Sequence, residues 1–148
     1  MTITYEETRR VEFADTDMAG MAHFTSFLHF MEEAEYAFLR SLGLSVMLGD
    51  EKGTIGFPRV SVQCNYHRPM RFEEVVLVRL RVVRNDGKLL THGFEVVRGD
   101  TLLADGQITV ACCRFPQDGS DPYAIPLPQF VLDKIPVVTS SSGKRAGP

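Results

Sequence analysis

The apolar positions of this chain follow two different rhythms. From Phe27 to Leu42 they recur every three or four residues, as Phe27, Phe30, Met31, Ala34, Ala37, Phe38 and Leu42. That spacing is the stripe of an amphipathic helix, and its width predicts a helix buried against a sheet. Thr25 or Ser26 is the expected N-cap and Gly43 the expected stop. Glu32 and Glu33 fall toward the solvent or subunit side, and Glu35 falls at the border of the stripe. Farther along, the period becomes two: Val60, Val62, Cys64 and Tyr66 alternate with polar residues. A β-branched run from Val75 to Val83 meets the turn signal Asn85-Asp86-Gly87-Lys88. Leu89 to Val97 forms the next strand, Arg98-Gly99-Asp100-Thr101 the next turn, and Leu102 to Phe115 a long last strand with a bend expected at Gly106. Upstream, residues 3–13 hold an alternating strand that ends Val11-Glu12-Phe13, and Gly49 to Gly56 reads as a loop.

This order predicts an α+β fold, an antiparallel sheet of about five strands with one long helix on its concave face. A lone sheet of this kind leaves edge strands open, and pairing across a dyad closes one of them. A dimer at least is therefore expected.

Composition narrows the picture. A chain of 148 residues suits one domain, placed at residues 1–138, with the Pro-, Ser- and Gly-rich end from Thr139 to Pro148 expected to be a disordered tail. A net charge of −3 gives nucleic-acid binding no electrostatic support. Three cysteines, two of them adjacent (Cys64, Cys112, Cys113), argue against a disulfide framework and lack metal-ligand spacing. Cys113 has no local feature that would activate a thiol. The acidic N-terminus does not read as a signal peptide, and no apolar run is long enough to span a bilayer. A soluble, cytoplasmic protein is the expectation.

The chemistry concentrates in Phe13-Ala-Asp15-Thr-Asp17-Met-Ala-Gly20-Met-Ala-His23-Phe24, directly before the helix. A helix start offers free N–H groups and a partial positive charge. A carboxylate beside it can attack, or activate water against, a carbonyl whose oxyanion those groups stabilise. Asp17, three residues before Gly20 and seven before Phe24, suits that role, whereas Asp15 reads as a turn residue. Taken alone, Asp17 also fits an Asx turn leading to Gly20. His23 fits a structural helix-entry residue or a catalytic helper equally.

Residues Phe13, Thr16-Asp17, Gly20, His23-Phe24, Phe27 and Glu32-Glu33-Ala34, with Tyr66-His67-Arg68-Pro69 through Phe72-Glu73, resemble the hotdog-fold acyl-CoA thioesterases of the 4-hydroxybenzoyl-CoA thioesterase type. The likeness covers residues 6–115 in architecture and is most specific over residues 13–35. It implies hydrolysis of an acyl-CoA thioester without a cofactor, at sites between subunits of a dimer or homotetramer. It implies Asp17 as nucleophile or general base and the Phe24 N–H as oxyanion donor, with His23 as a possible helper and Gly20 among the substrate contacts. Two departures stand out. Relatives often carry Tyr-His where this chain has His23-Phe24, and Gly-Asp where it has Glu73-Glu74.

Other residues admit both structural and functional readings. Arg68, Arg71, Arg84 and Lys88 suit the phosphates of coenzyme A, and equally a solvated surface. Phe27, Phe30, Phe57 and Met70 suit an aromatic-tolerant pocket or simple core packing. Some hotdog thioesterases use a carboxylate on the central helix, but Glu32, Glu33 and Glu35 read as structural. Two alternatives to an acyl-CoA hydrolase remain at this level: a thioesterase for acyl groups on an acyl carrier protein, and a non-catalytic acyl-CoA-binding module.

Overall fold

The computed structural model describes residues 4–138; the tail expected from Thr139 lies outside them. In chain order the elements are β1 (Thr4–Arg10), α1 (Phe24–Ser41), β2 (Met47–Asp50), β3 (Gly53–Gly56), β4 (Arg59–Tyr66), β5 (Val75–Asn85), β6 (Leu89–Arg98), β7 (Thr101–Ala111), β8 (Cys113–Phe115), β9 (Tyr123–Ala124) and the single turn α2 (Gln129–Leu132). Five strands form one antiparallel sheet in the order β1-β5-β6-β7-β4, with α1 packed against it mainly at β5 and β1. This is the predicted hotdog arrangement.

The helix stripe is buried as its spacing predicts. Phe30, Met31, Ala34 and Phe38 are at or near zero exposure and meet Val78, Leu80, Phe94 and Ile108 from the sheet in one core. Burying side chains of this size contributes about 1.5–3 kcal/mol each. The cap differs from the expectation. His23, rather than Thr25 or Ser26, is the N-cap, and its Nδ1 accepts the Thr25 N–H at 3.3 Å. Its backbone C=O accepts the Ser26 N–H, and the Ser26 hydroxyl is drawn back to Asp15 O at 2.8 Å. At the other end Gly43 stands just past the C-cap with φ +75°, as expected of a helix stop.

Three local readings are corrected. Gly49–Gly56 is not a loop but most of the hairpin β2–β3, closed by the Asp50–Gly53 pair. The long last strand is broken at Cys112, not bent at Gly106. Beyond the break, β8 leaves the main sheet and joins a second one, in the order β2-β3-β8-β9. Arg114 on β8 ties that sheet together through both Asp50 oxygens, at 2.5 and 3.0 Å. The first strand ends at Arg10, and Phe13–Asp15 forms a short 3-10 turn. All three cysteines are free.

Gly106 has a packing role rather than a bending one. A Cβ built there would lie 2.4 Å from the backbone oxygen of Gln63 on β4 and 3.3 Å from the end of Met31. Backbone cannot yield as a side-chain tip can, so β4 sits close only because residue 106 has no side chain. Gly106→Ala should destabilise the fold by about 1–3 kcal/mol, the usual cost of overpacking, and a urea titration of the two proteins measures it.

Two titratable side chains are buried in this core. Glu35 is 2% exposed, and its carboxylate receives Arg59 Nη2 at 3.1 Å. Burial outweighs that guanidinium and pushes Glu35 up to about 7, with Glu32 adding to the rise. His92, 1% exposed, packs edge-on against Phe38, and neither ring nitrogen has a hydrogen-bond partner among the described residues. Burial, reinforced by Arg59, drops it to about 4. The raised Glu35 stabilises the fold fully below its ordinary 4.5, and that contribution is lost as the pH rises toward 7. The lowered His92 acts oppositely: its contribution is complete above its ordinary 6.5 and is lost as the pH falls toward 4. Between these ordinary values the two slopes oppose each other. Glu35→Gln should leave a stability that rises with pH across this window, and His92→Phe one that falls. Urea denaturation across the window reads the slopes, and slopes of the same sign in the two variants would refute the assignment.

Candidate active site

The segment before α1 is held by its backbone. Asp17 N–H donates to Met21 O at 2.9 Å, Gly20 N–H to Asp17 O at 3.0 Å, and Gly20 takes φ +76°. Such a φ favours glycine. Asp17 Oδ1 accepts the Ala19 N–H at 2.8 Å, so the Asx turn read from the sequence is present and leaves Oδ2 without a protein partner among the described residues. Ala22 N–H donates to Met70 O at 2.7 Å, and Met21 forms a bridge with Arg71. These bonds join the Asp17 turn to the segment leaving β4. The Asp15 carboxylate accepts the Glu12 N–H instead.

At the helix start, capping consumes the N–H groups unequally. Thr25 N–H goes to the His23 ring and Ser26 N–H to the His23 carbonyl. The Phe24 N–H has no acceptor among the described residues. It is the first N–H of an 18-residue helix, where the macrodipole favours negative charge.

Asp17, Phe24, Phe27, Tyr66, His67 and Arg68 line one open cleft of about 380 Å³. Tyr66 stands edge-on to Phe27, with ring centroids 5.1 Å apart, and its hydroxyl donates to Phe24 O at 2.9 Å. Desolvation pushes that phenol up to about 12, so it remains a donor at neutral pH. His67 Nε2 lies 2.6 Å from Asp105 Oδ2. The other Asp105 oxygen accepts from Asn65 Nδ2 at 2.9 Å. The hydrogen bonds from Asn65 and then His67 hold Asp105 below the usual carboxylate range. A second hollow, of about 560 Å³, shares Asp17 with the first and is walled by Phe13, Met18, Gly20 and Phe72. Phe13 and Phe72 meet edge to face across it, 6.0 Å apart.

Of the residues singled out from sequence, Asp17, Phe24, Phe27 and Arg68 thus come together in the cleft, and Gly20 lines the adjoining hollow. His23 is engaged as the helix cap, with its Nδ1 also 2.7 Å from Thr25 Oγ1, and is not among the cleft-lining residues. Arg84 and Lys88 do not join the cleft within one chain. They flank the β5–β6 turn, where Arg84 pairs with Asp86 at 2.7 Å. The register places the Tyr66 end of β4 beside Ala104 and Val96, at the opposite end of the sheet. Sequence reasoning assigned no role to Tyr66, His67 or Asp105. Tyr66 and His67 were visible in the Tyr-His-Arg-Pro run, but Asp105 becomes relevant only through the β4–β7 pairing, which sets Asn65 opposite Asp105. Among the described residues no helix is long and apolar enough to cross a membrane.

Comparison with known proteins places the chain in a family and a fold. The family model of the Thioesterase superfamily matches residues 19–104. A 1,4-dihydroxy-2-naphthoyl-CoA hydrolase from Synechocystis is 28% identical over 134 residues, 89% of this chain and 96% of that protein. The acyl-CoA thioesterase YbgC of Haemophilus influenzae is 24% identical over 70% of this chain and 76% of its own length. The crystal structure of Slr0204, a 1,4-dihydroxy-2-naphthoyl-CoA thioesterase from Synechocystis, superposes with a TM-score of 0.75 at 28% identity, covering 91% of this chain and 96% of that one. The chain belongs to the thioesterase superfamily: it is a hotdog-fold thioester hydrolase.

Proposed function

We propose that this protein hydrolyses an aromatic acyl-CoA to the free acid and coenzyme A, with Asp17 as the reacting carboxylate. The observation that carries the reading is the pairing, in one cleft, of a carboxylate oxygen and the Phe24 N–H at a buried helix's start, both without a partner among the described residues. A thioester carbonyl directed at the Phe24 N–H gains an oxyanion donor, an interaction worth about 2.7–4 kcal/mol when well placed. Coenzyme A leaves as a thiolate, so protonating the leaving group is not demanding. Arg68, exposed on the cleft wall, suits a phosphate of the coenzyme. Two facts support an aromatic acyl group: the phenylalanine edges of the hollow beside Asp17, and the hydroxynaphthoyl substrates named for the relatives.

Within one chain the cleft is wide open, and β4 beside it is an edge strand carrying exposed Val60, Val62 and Tyr66. Unpaired edges with apolar side chains are strong candidates for pairing with another chain. In this reading two copies join along β4 and each closes the other's cleft, in a dimer or a tetramer of two such dimers.

Asp17→Asn should lower turnover of a good aryl-CoA by roughly 10²–10⁴-fold or more while leaving the thermal melt unchanged. Thiol release followed with a colour reagent measures it. The same assay across short, long and aromatic acyl-CoAs, and acyl carrier protein thioesters, sets the substrate class. Ligand-induced thermal stabilisation with no thiol release from any of them would identify a binder instead. Val62→Glu should reduce the assembly's mass in analytical ultracentrifugation and reduce turnover with it; an unchanged mass would place the subunit contact elsewhere.

A further inference from the structure

We infer that His67, held by Asp105, is the general base that hydrolyses the acyl–Asp17 intermediate formed when Asp17 acts as nucleophile, one of the two roles the family resemblance implies for it. The inference deepens the proposed function and rests on it.

The two possible roles of Asp17 make different demands on the cleft. A general base needs no second basic group. A nucleophile does, because once Asp17 is acylated its carboxylate can no longer accept a proton from water. The cleft contains such a group. His67 lines the same wall as Tyr66 and Arg68, and its Nε2–H donates to Asp105 at 2.6 Å. Asp105 is fixed in turn by Asn65 on the neighbouring strand, directly across from it. The backbone N–H groups of His67 and Arg68 both donate to Leu103 O, at 2.8 and 3.0 Å, which anchors this corner to β7. With Nε2 committed to a carboxylate, the neutral ring carries its lone pair on Nδ1, which has no protein partner among the described residues. A carboxylate backing one imidazole nitrogen while the other accepts a proton is the arrangement that fixes the tautomer and stabilises the imidazolium once it forms. Asp105 is thus a positioning residue. A purely structural His67–Asp105 tie would close the end of β4 equally well, so the test must separate the two.

The chemistry balances in two steps. Asp17 Oδ2 forms a bond to the acyl carbon, the C–S bond breaks, and coenzyme A leaves as its thiolate, with the oxyanion at the Phe24 N–H between the two events. Water then adds to the acyl carbon of the mixed anhydride and gives one proton to His67 Nδ1. The bond between the acyl carbon and the Asp17 oxygen breaks and restores the carboxylate. His67 returns its proton to the departing thiolate or to solvent.

Rapid mixing of benzoyl-CoA with His67→Gln and with the unaltered protein distinguishes these roles, with thiol release as the readout. In His67→Gln the first step survives and the second fails. The expected trace is a burst of about one thiol per site followed by steady turnover slowed by roughly 10²–10⁴-fold, and acid-quenched protein carries the benzoyl mass on the peptide containing Asp17. Asp105→Asn should give the same burst with a smaller slowing. Steady turnover at the original rate in His67→Gln overturns the inference. So does a first turnover slowed as much as later ones, because a structural defect depresses both steps. An unaltered protein that releases no thiol from any acyl-CoA overturns the proposed function and this inference together, a result distinct from the previous two.

Discussion

The seating of α1 in the concave face of the sheet governs the rest of this molecule. Phe30, Met31, Ala34 and Phe38 lock one side of the helix to the sheet, chiefly at β5 and β1, and this fixes where its N-terminus emerges. The unpartnered Phe24 N–H, the cap at His23 and the turn that carries Asp17 all follow from that position. The buried Met31 also packs beside Gly106, where β7 admits the backbone of β4 more closely than any side chain would allow. A single contact thus joins the helix, the core and the edge strand whose exit forms the other wall of the cleft.

The buried charge has a comparable organising role. Arg59 at the start of β4 reaches both Glu32 and Glu35 on the helix, at 3.6 and 3.1 Å, and lies over the Tyr36 ring. Burial makes Glu35 reluctant to ionise, so the clasp is strongest where the carboxylate is charged and the fold is penalised for charging it. Replacing such pairs by apolar residues is often neutral or stabilising. Its value here is positional: it sets β4 against the helix flank at the end remote from the cleft.

How far the sequence reveals this depended on how local each signal is. The helix stripe, the turn at Asn85–Lys88 and the turn at Arg98–Thr101 are written in neighbouring residues, and they were read with nearly correct limits. The small second sheet was not, because its strands are two to four residues long and depend on Arg114 meeting Asp50 across 64 positions. Val60 and Val62 read as ordinary core alternation; only the strand order shows that β4 is an edge and leaves them exposed. At the site, Asp17, Gly20 and Phe24 were legible because the motif is contiguous with the helix start. His67 was visible but had no evident purpose, since its partner lies 38 residues away on a strand whose pairing periodicity alone does not specify. Arg84 and Lys88, two cations attractive by type, lie away from the cleft of their own chain, separated from it by the length of the sheet.

The bonds from Ala22 to Met70 and between Met21 and Arg71 make the two walls of the cleft one mechanical piece. The Asp17 turn and the segment after β4 cannot open like a pair of jaws, because opening would break backbone pairing rather than bend a hinge. Inserting or deleting a residue in either segment would shift that pairing and misplace Asp17 against the helix start. Divergence in substrate among proteins built this way is therefore expected to proceed by exchange of side chains such as Phe13, Met18 and Phe72, with the lengths of these two segments held constant.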